Sequence, residues 1–399
     1  MIKWETVSVA SCLEPLQLPA DKLLAKDYKL SGAFPIVDQG RDLIAGWTDN
    51  RNGLIDSPLP LIVFGDHTRI LKYIDFPFVR GADGTQILHP DDRFDPHFFY
   101  FACKALDIES RGYNRHFSIL KERKISIPPK EEQQWIGKIL AIIESHKNDE
   151  QRTCDLTTTL KHAATRELFT RGLRGEAQKE TEIGLVPESW DITTLSHLAQ
   201  LSTGTTPSTK HSEFFIGTIP FIKTTDIVNN RISSSTTFVS EQAVTDYNLV
   251  IYKPGTVLMA MYGQGKTRGQ VSILDIPATT TQNAAAIEHN ENLCPTFLWH
   301  FLMGSYERLR NMGSLGHISH LNLGYLRELL IPFPPLSEQH EIVEILDAID
   351  RKIELHKKKK ALLEKLFKSL LHKLMTGEVH VDDLDLSVME KTSNKDSDA

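Results

Sequence analysis

Cysteine is scarce in this chain of 399 residues, and Cys12, Cys103, Cys154 and Cys294 stand far apart without a CxxC pair. That spacing excludes a disulfide framework or a zinc knuckle and fits a reducing compartment. No run of about eighteen uncharged apolar residues occurs, so no membrane-spanning helix is expected. The opening Met1-Ile-Lys-Trp-Glu-Thr-Val-Ser8 lacks the basic and then apolar stretch of a secretory leader. A soluble chain of the cytoplasm is the expectation. Positive charge is not in surplus either: Lys and Arg number 45 against 52 Asp and Glu, a net charge of −7, and residues 191–330 hold nine basic and ten acidic side chains. Any DNA-binding face must therefore be a local arrangement.

Catalytic signatures are missing too. The chain has no GxSxG, no HExxH and no GxGxxG after a strand. Gly265-Lys266-Thr267 imitates the end of a phosphate loop, but Ala260 stands where that loop needs glycine, and Gln270-Val-Ser-Ile-Leu274 reads as strand where a helix should follow. His317 and His320 lie three apart without acidic or cysteine partners at ligand spacing, which describes a polar loop better than a metal site. Asp91-Asp92-Arg93-Phe94-Asp95 could suggest a metal-dependent nuclease, yet a loop before a helix at Pro96 explains it as well. No catalytic residue, metal or cofactor is expected.

What the chain does have is one helical pattern written twice. Ile127-Pro-Pro-Lys-Glu-Glu-Gln133 aligns with Phe333-Pro-Pro-Leu-Ser-Glu-Gln339 at an offset of 206, which continues through Ile136/Ile342, Leu140/Leu346, Leu160/Leu366, Leu168/Leu374 and Thr170/Thr376. Pro129 and Pro335 suit a helix start, where a fixed φ and a missing N–H cost least. Glu132 and Glu338 follow in the first turn, near the positive end of the helix dipole. Each repeat predicts a rod of ~65 Å at ~1.5 Å per residue. In the second, Ile342, Ile345, Leu346, Ile349, Ile353, Leu362, Leu363, Leu366, Leu370 and Leu374 make an apolar stripe that another long surface should cover, and the first helix is the obvious partner. The seam should be weakest at the polar residues 145–152. Lys357–Lys360 reads as a solvated face rather than a phosphate contact.

The duplication extends beyond the helices. Trp4-Glu5 answers Trp190-Asp191 at an offset of 186, while His67-Thr68-Arg69 answers Lys266-Thr267-Arg268, and Pro96 answers Pro295, at 199. Short apolar runs such as 60–64, 218–222 and 256–261 read as strands; 202–210 and 231–237 read as loops. Residues 96–106 and 295–309 each predict a packing helix. The fold class expected is mixed α/β: two globular domains separated by two long antiparallel helices that form a coiled coil, with a pseudo-twofold internal repeat. The boundaries are 1–124 for the first globular domain, 125–174 for the central helix, 175–330 for a linker and the second globular domain, 331–377 for the C-terminal helix, and 378–399 for an acidic, disordered tail.

Two α/β domains alternating with two copies of a helix opened by Pro-Pro-x-x-Glu-Gln resemble the specificity subunit of type I restriction–modification systems. Leu330-Ile-Pro-Phe-Pro-Pro-Leu-Ser-Glu-Gln339 is similar to that family's lead into a conserved helix, and Gly184-Leu-Val-Pro-Glu-Ser-Trp190 to its lead into a target-recognition domain. The first copy departs from the pattern, with only Trp4-Glu5 for the latter and Lys130-Glu131 in place of Leu336-Ser337. The resemblance implies a non-catalytic scaffold that reads double-stranded DNA, recruits methyltransferase (modification) subunits, two of them, and works with restriction subunits that act as an ATP-dependent translocase and nuclease. Because the two domains differ in sequence, the site they read should be asymmetric and bipartite. One extra helical turn of ~5.4 Å would shift the half-sites by roughly one to two base pairs.

Base readout needs side chains that offer donors and acceptors at fixed reach. Candidates in the first domain are Gln39, Arg41, His67, Arg69, Arg111 and Arg115; in the second, Thr206, Ser208, Lys210, Lys223, Thr225, Tyr262, Gln264, Lys266 and Arg268. His67/Arg69 and Lys266/Arg268 recur at equivalent places, which favours phosphate positioning, since the two domains should read different bases. Two other readings stand beside this one. A coiled-coil adaptor that binds protein would show no salt-dependent duplex affinity, and a nucleic-acid enzyme would nick DNA with Mg²⁺. Two chains exchanging helices would use the same seams.

Overall fold

A computed structural model describes residues 4–19, 22–110, 112, 114–263, 266–312 and 321–384. Arg111, Gln264, His317, His320 and residues 385–399 lie outside the described residues. The two long helices run Lys130–Arg171 and Leu336–Thr376. No helix among the described residues is long and apolar enough to cross a membrane.

The chain divides into two compact bodies, one made of 1–152 with 357–399 and the other of 153–356. The division passes within both long helices, so each body contains a globular lobe and a stretch of each helix. In the first body Glu5–Ser8 pairs antiparallel with Lys124–Ile127, which sets the start of the lobe beside the start of its long helix. Leu61–Gly65 lies between Leu71–Ile74 and Thr85–Leu88, antiparallel to both. A four-stranded sheet holds Phe34–Val37, Gly46–Thr48, Leu54–Ile55 and Phe78–Arg80. The packing helix Pro96–Ala105 takes Asp95 as its N-cap, whose side chain accepts from the Phe98 amide. Its Phe98, Phe99 and Phe101 share one core with Ile136, Ile139, Leu140 and Ile143 of the first long helix and Phe367 and Leu374 of the second.

The second body repeats the plan. Asp191–Thr194 pairs antiparallel with Leu330–Phe333. A five-stranded sheet follows the order 199–203, 284–289, 257–260, 271–274, 231–232. Phe297, Leu298, Trp299, Phe301 and Leu302 of the helix Pro295–Gly304 join Leu168 and Phe169 of the first long helix and Ile342 and Leu346 of the second. The packing helix predicted over 295–309 stops at Gly304 and resumes as Tyr306–Met312. A Cβ at Gly304 would stand 2.9 Å from Thr165 Cγ2, so any side chain at the break would have to displace that methyl group of the long helix.

Within each body the long helices run antiparallel. In the first, Lys147 lies 5.1 Å from the Phe367 ring and Glu150 is 3.8 Å from Lys359. In the second, Lys161 pairs with Asp350 at 2.6 Å and Arg174 with Glu341 at 2.6 Å. Lys359 thus makes an ion pair along the seam, and Lys360 pairs with Glu364 at 3.5 Å on its own helix. The apolar stripe is covered only in part. Ile342, Leu346 and Leu374 are fully buried, whereas Ile345, Leu362 and Leu366 are exposed, as are Leu156 and Leu160.

Candidate nucleic-acid interface

Each lobe is mounted by the glutamine of the repeated motif. Gln133, buried, accepts from the Asp95 amide at 2.8 Å and donates through Nε2 to the carbonyls of Arg93 (3.0 Å) and Pro128 (2.9 Å). Gln339 does the same in the second body, accepting from the Cys294 amide at 2.8 Å and donating to the carbonyls of Asn292 (3.2 Å) and Pro334 (2.9 Å). In both cases the clamped main chain leads into the packing helix. The preceding glutamate ties down the far end of the partner helix. Glu132 meets His380 Nδ1 at 2.8 Å, while Glu338 accepts from the Leu173 amide (2.9 Å) and from Trp190 Nε1 (3.2 Å). The first-turn dipole explains only part of why these glutamates recur.

In the first lobe the candidate residues sit on loops drawn together from 38–42, 66–69 and 82–84. Lys72, buried on the inward register of its strand, donates to the carbonyls of Asp38 and Asp42 and lies 3.8 Å from the Asp38 carboxylate. Burial pushes its pKa down, partly offset by Asp38 and Asp42. The Gln39 amide is engaged inside the cluster: Oε1 accepts from the His67 amide (3.2 Å) and Nε2 donates to Asp83 O (3.0 Å), while Thr68 Oγ1 donates to Gln39 O (2.6 Å). Arg69, with φ of +63°, donates to Ile108 O at 2.7 Å. Asp66 is buried and accepts from the amides of His116 and Phe117, each at 2.8 Å, which carries the exposed Arg115 alongside. Arg41 is exposed at the tip of the loop that Lys72 shapes.

In the second lobe two loops start from one point. A Cβ on Gly204 would collide with Thr280 O, and Thr280 pairs in parallel with Ile222. The segment bearing Thr206, Ser208 and Lys210 therefore leaves the sheet beside the one bearing Lys223 and Thr225. Lys210, Lys223 and Thr225 are exposed; Thr206 and Ser208 are half-buried, and Ser208 Oγ accepts from the Lys210 amide at 3.4 Å. Elsewhere in the lobe, Tyr262 and Lys266 are exposed, and Lys266 O accepts from Tyr306 Oη at 2.7 Å. Arg268 donates to Arg310 O at 3.2 Å. Arg69 and Arg268 thus occupy equivalent positions and each donates to a carbonyl beyond the packing helix, which gives their recurrence a structural reason.

Sequence reasoning did not single out Lys72 or the clamping role of Gln133 and Gln339. The available signals were a lysine on the buried face of the alternating strand Leu71–Ile74 and a glutamine recurring where a helix surface should vary. A further cluster joins the second lobe to both helices. His300 Nε2 lies 3.0 Å from Asp347, which Arg231 approaches at 3.4 Å, while Asp350 pairs with Lys161. Burial lowers the pKa of His300 more than its bond to Asp347 raises it. Although the imidazole and the two carboxylates could converge on one ion, the carboxylates already hold cations, and the group reads as an ion-pair network.

Duplicated lobes, each clamped in the same way to a long helix, define a tandem lobe-and-helix repeat. A family model described as the type I restriction modification DNA specificity domain matches residues 4–153 and again 187–365, and the chain belongs to that family. The MjaVIII type I restriction enzyme specificity subunit of Methanocaldococcus jannaschii is 28% identical over 275 residues, 67% of this chain and 64% of that protein. The EcoR124I/EcoR124II specificity subunit of Escherichia coli is 25% identical over 336 residues, 82% of this chain and 81% of that protein. The crystal structure of a type I restriction–modification S subunit from M. genitalium shares the fold, with a TM-score of 0.66 at 17% identity over 94% of this chain and 96% of that one.

Proposed function

We propose that this chain is a non-catalytic subunit that reads an asymmetric, bipartite DNA site through its two lobes. The observation that carries this reading is the repeated glutamine clamp beneath unlike loops. The mounting is the same in both bodies, while the exposed side chains differ: Arg41 and Arg115 on one, Lys210, Lys223 and Lys266 on the other. Identical mounts with dissimilar donors suit two different half-sites. Lys72 holds the first reading loop in shape.

The same reading gives the chain two methyltransferase subunits as partners, with restriction subunits in the complete assembly. Leu156 and Leu160 are 62% and 58% exposed, and their equivalents at an offset of 206, Leu362 and Leu366, are 66% and 46% exposed. Each pair is spaced i, i+4 and so shares one helix face. A repeated apolar face supports two copies of one partner. With a net charge of −7, the chain takes part of its phosphate contact from those partners, so the lone chain binds duplex weakly.

Methylome sequencing of cells with and without the chain tests the proposal. A bipartite methylated site that disappears on deletion is expected; an unchanged methylome sinks it. Reconstitution with the methyltransferase then separates the partner claim, because Leu156→Glu with Leu160→Glu should remove one copy by native mass spectrometry. Nanomolar, site-specific binding by the lone chain at physiological salt would overturn the shared-contact claim.

A further inference from the structure

The two bodies differ where the packing helix meets the end of a long helix. In the second, Phe169 and Phe301 are 8% and 7% exposed and their rings lie 5.4 Å apart, with Phe297 a further 5.1 Å from Phe169. The offsets of 206 and 199 place Met375 and Ala102 at the same positions in the first body. Two phenyl rings are thus exchanged for a thioether chain and a methyl group. A pocket of about 350 Å³ opens there, with Ala102, Leu371 and Met375 among its lining residues. That volume lies at the lower end of the range for binding sites.

Part of its remaining lining is positively charged. Lys104, Lys124 and Lys368 contribute to the pocket and no acidic side chain does. Lys104 is paired with Glu144, whereas Lys124 and Lys368 are exposed. An apolar recess with cationic walls complements an apolar group flanked by negative charge. The molecule's own second copy supplies the shape of that group, since phenylalanine rings fill the equivalent space.

We propose that this pocket of the first body is a docking site for a protein segment that presents an aromatic side chain between acidic residues. The ring would take the space that Phe169 and Phe301 fill in the other body, and the flanking carboxylates would meet Lys124 and Lys368. Unlike the leucine pairs, which recur, the pocket has its equivalent place in the other body filled by Phe169 and Phe301, so it would receive one partner segment per chain. Its failure would leave the reading of DNA and of the leucine faces untouched.

Fluorescence anisotropy of the full chain with a labelled Glu-Asp-Phe-Phe-Asp-Glu peptide tests this. Saturable binding at one site is expected, weakening as salt rises, with Glu-Asp-Ala-Ala-Asp-Glu and Lys-Lys-Phe-Phe-Lys-Lys binding at least about tenfold less tightly. The pair Ala102→Phe and Met375→Phe, which refills the pocket as the second body does, should abolish binding and raise Tm. Should that variant misfold, the pair Lys124→Glu and Lys368→Glu decides, since both side chains are exposed; about a tenfold loss is expected. Absence of saturable binding, equal binding by the charge-reversed chain, or equal affinity for free 4-phenylbutyrate, which would mark a small-molecule site, each overturns the proposal.

Discussion

Replacing Gln339 by leucine removes the clamp while keeping its slot filled. Glutamine and leucine are similar in bulk, and the side chain is fully buried, so little cavity forms. Three hydrogen bonds are lost, leaving the Cys294 amide and the carbonyls of Asn292 and Pro334 without this partner. Bonds of this kind contribute ~1 kcal/mol each, and a buried group left stranded costs ~1–3 kcal/mol. Partial rehydration of the Asn292 carbonyl sets the expected loss at ~3–5 kcal/mol, a large share of the ~5–15 kcal/mol that holds a typical domain folded. The effect should also be local. Gln339 belongs to the body of 153–356, so hydrogen–deuterium exchange should accelerate around 290–300 in Gln339→Leu and around 92–99 in Gln133→Leu, each leaving the other region protected. Urea titration supplies the magnitude. A loss under ~1 kcal/mol, or protection falling evenly along the chain, would refute the clamp as the element that mounts each lobe.

Lys72→Met should loosen residues 38–42, costing ~1–3 kcal/mol and raising exchange at Gly40, whose amide otherwise bonds the Asp38 carboxylate at 2.8 Å; unchanged exchange would remove Lys72 as the shaper of that loop. His300 has a folded pKa depressed by burial, so the stability it contributes is present above its unfolded value of ~6.5 and is lost as pH falls through its lower folded value. Melting curves of the parent should therefore drop below about pH 6.5 more steeply than those of His300→Gln, and parallel curves would contradict this. Glu338→Gln keeps the shape of the carboxylate but turns its charge-assisted bonds to Leu173 and Trp190 into neutral ones, so a loss of ~1–2 kcal/mol is expected, together with a change in Trp fluorescence.

Much of this architecture can be read from the chain because its signals are local or repeated. Pro129 and Pro335 mark helix starts through their own φ, and Asp95 caps the helix at Pro96 three residues ahead of the amide it holds. The family resemblance rested on the doubled motif, and the family match covers both copies. Longer-range relations were hidden. Gln133 bonds main-chain atoms of Arg93 and Asp95, about forty residues upstream, which no periodicity announces. Helical spacing grouped Leu362 and Leu366 with Leu370 and Leu374, yet Leu374 is buried while the first two face solvent, because a stripe shows which residues share a side and not where its cover ends. The recurrence of Arg69 and Arg268 suggested phosphate contacts; each holds a carbonyl within its own lobe. Lys72 went unremarked because a lone lysine in a strand is ordinarily a surface residue.

A grip that closes on peptide groups rather than side chains is blind to the identity of what it holds. Gln133 and Gln339 bond only amides and carbonyls. Mutation can therefore rewrite almost every surface position of a lobe without disturbing its seat, provided the backbone keeps its course into the packing helix. An arrangement of that kind lets selection, or an engineer, swap one reading head for another and leave the frame as it was.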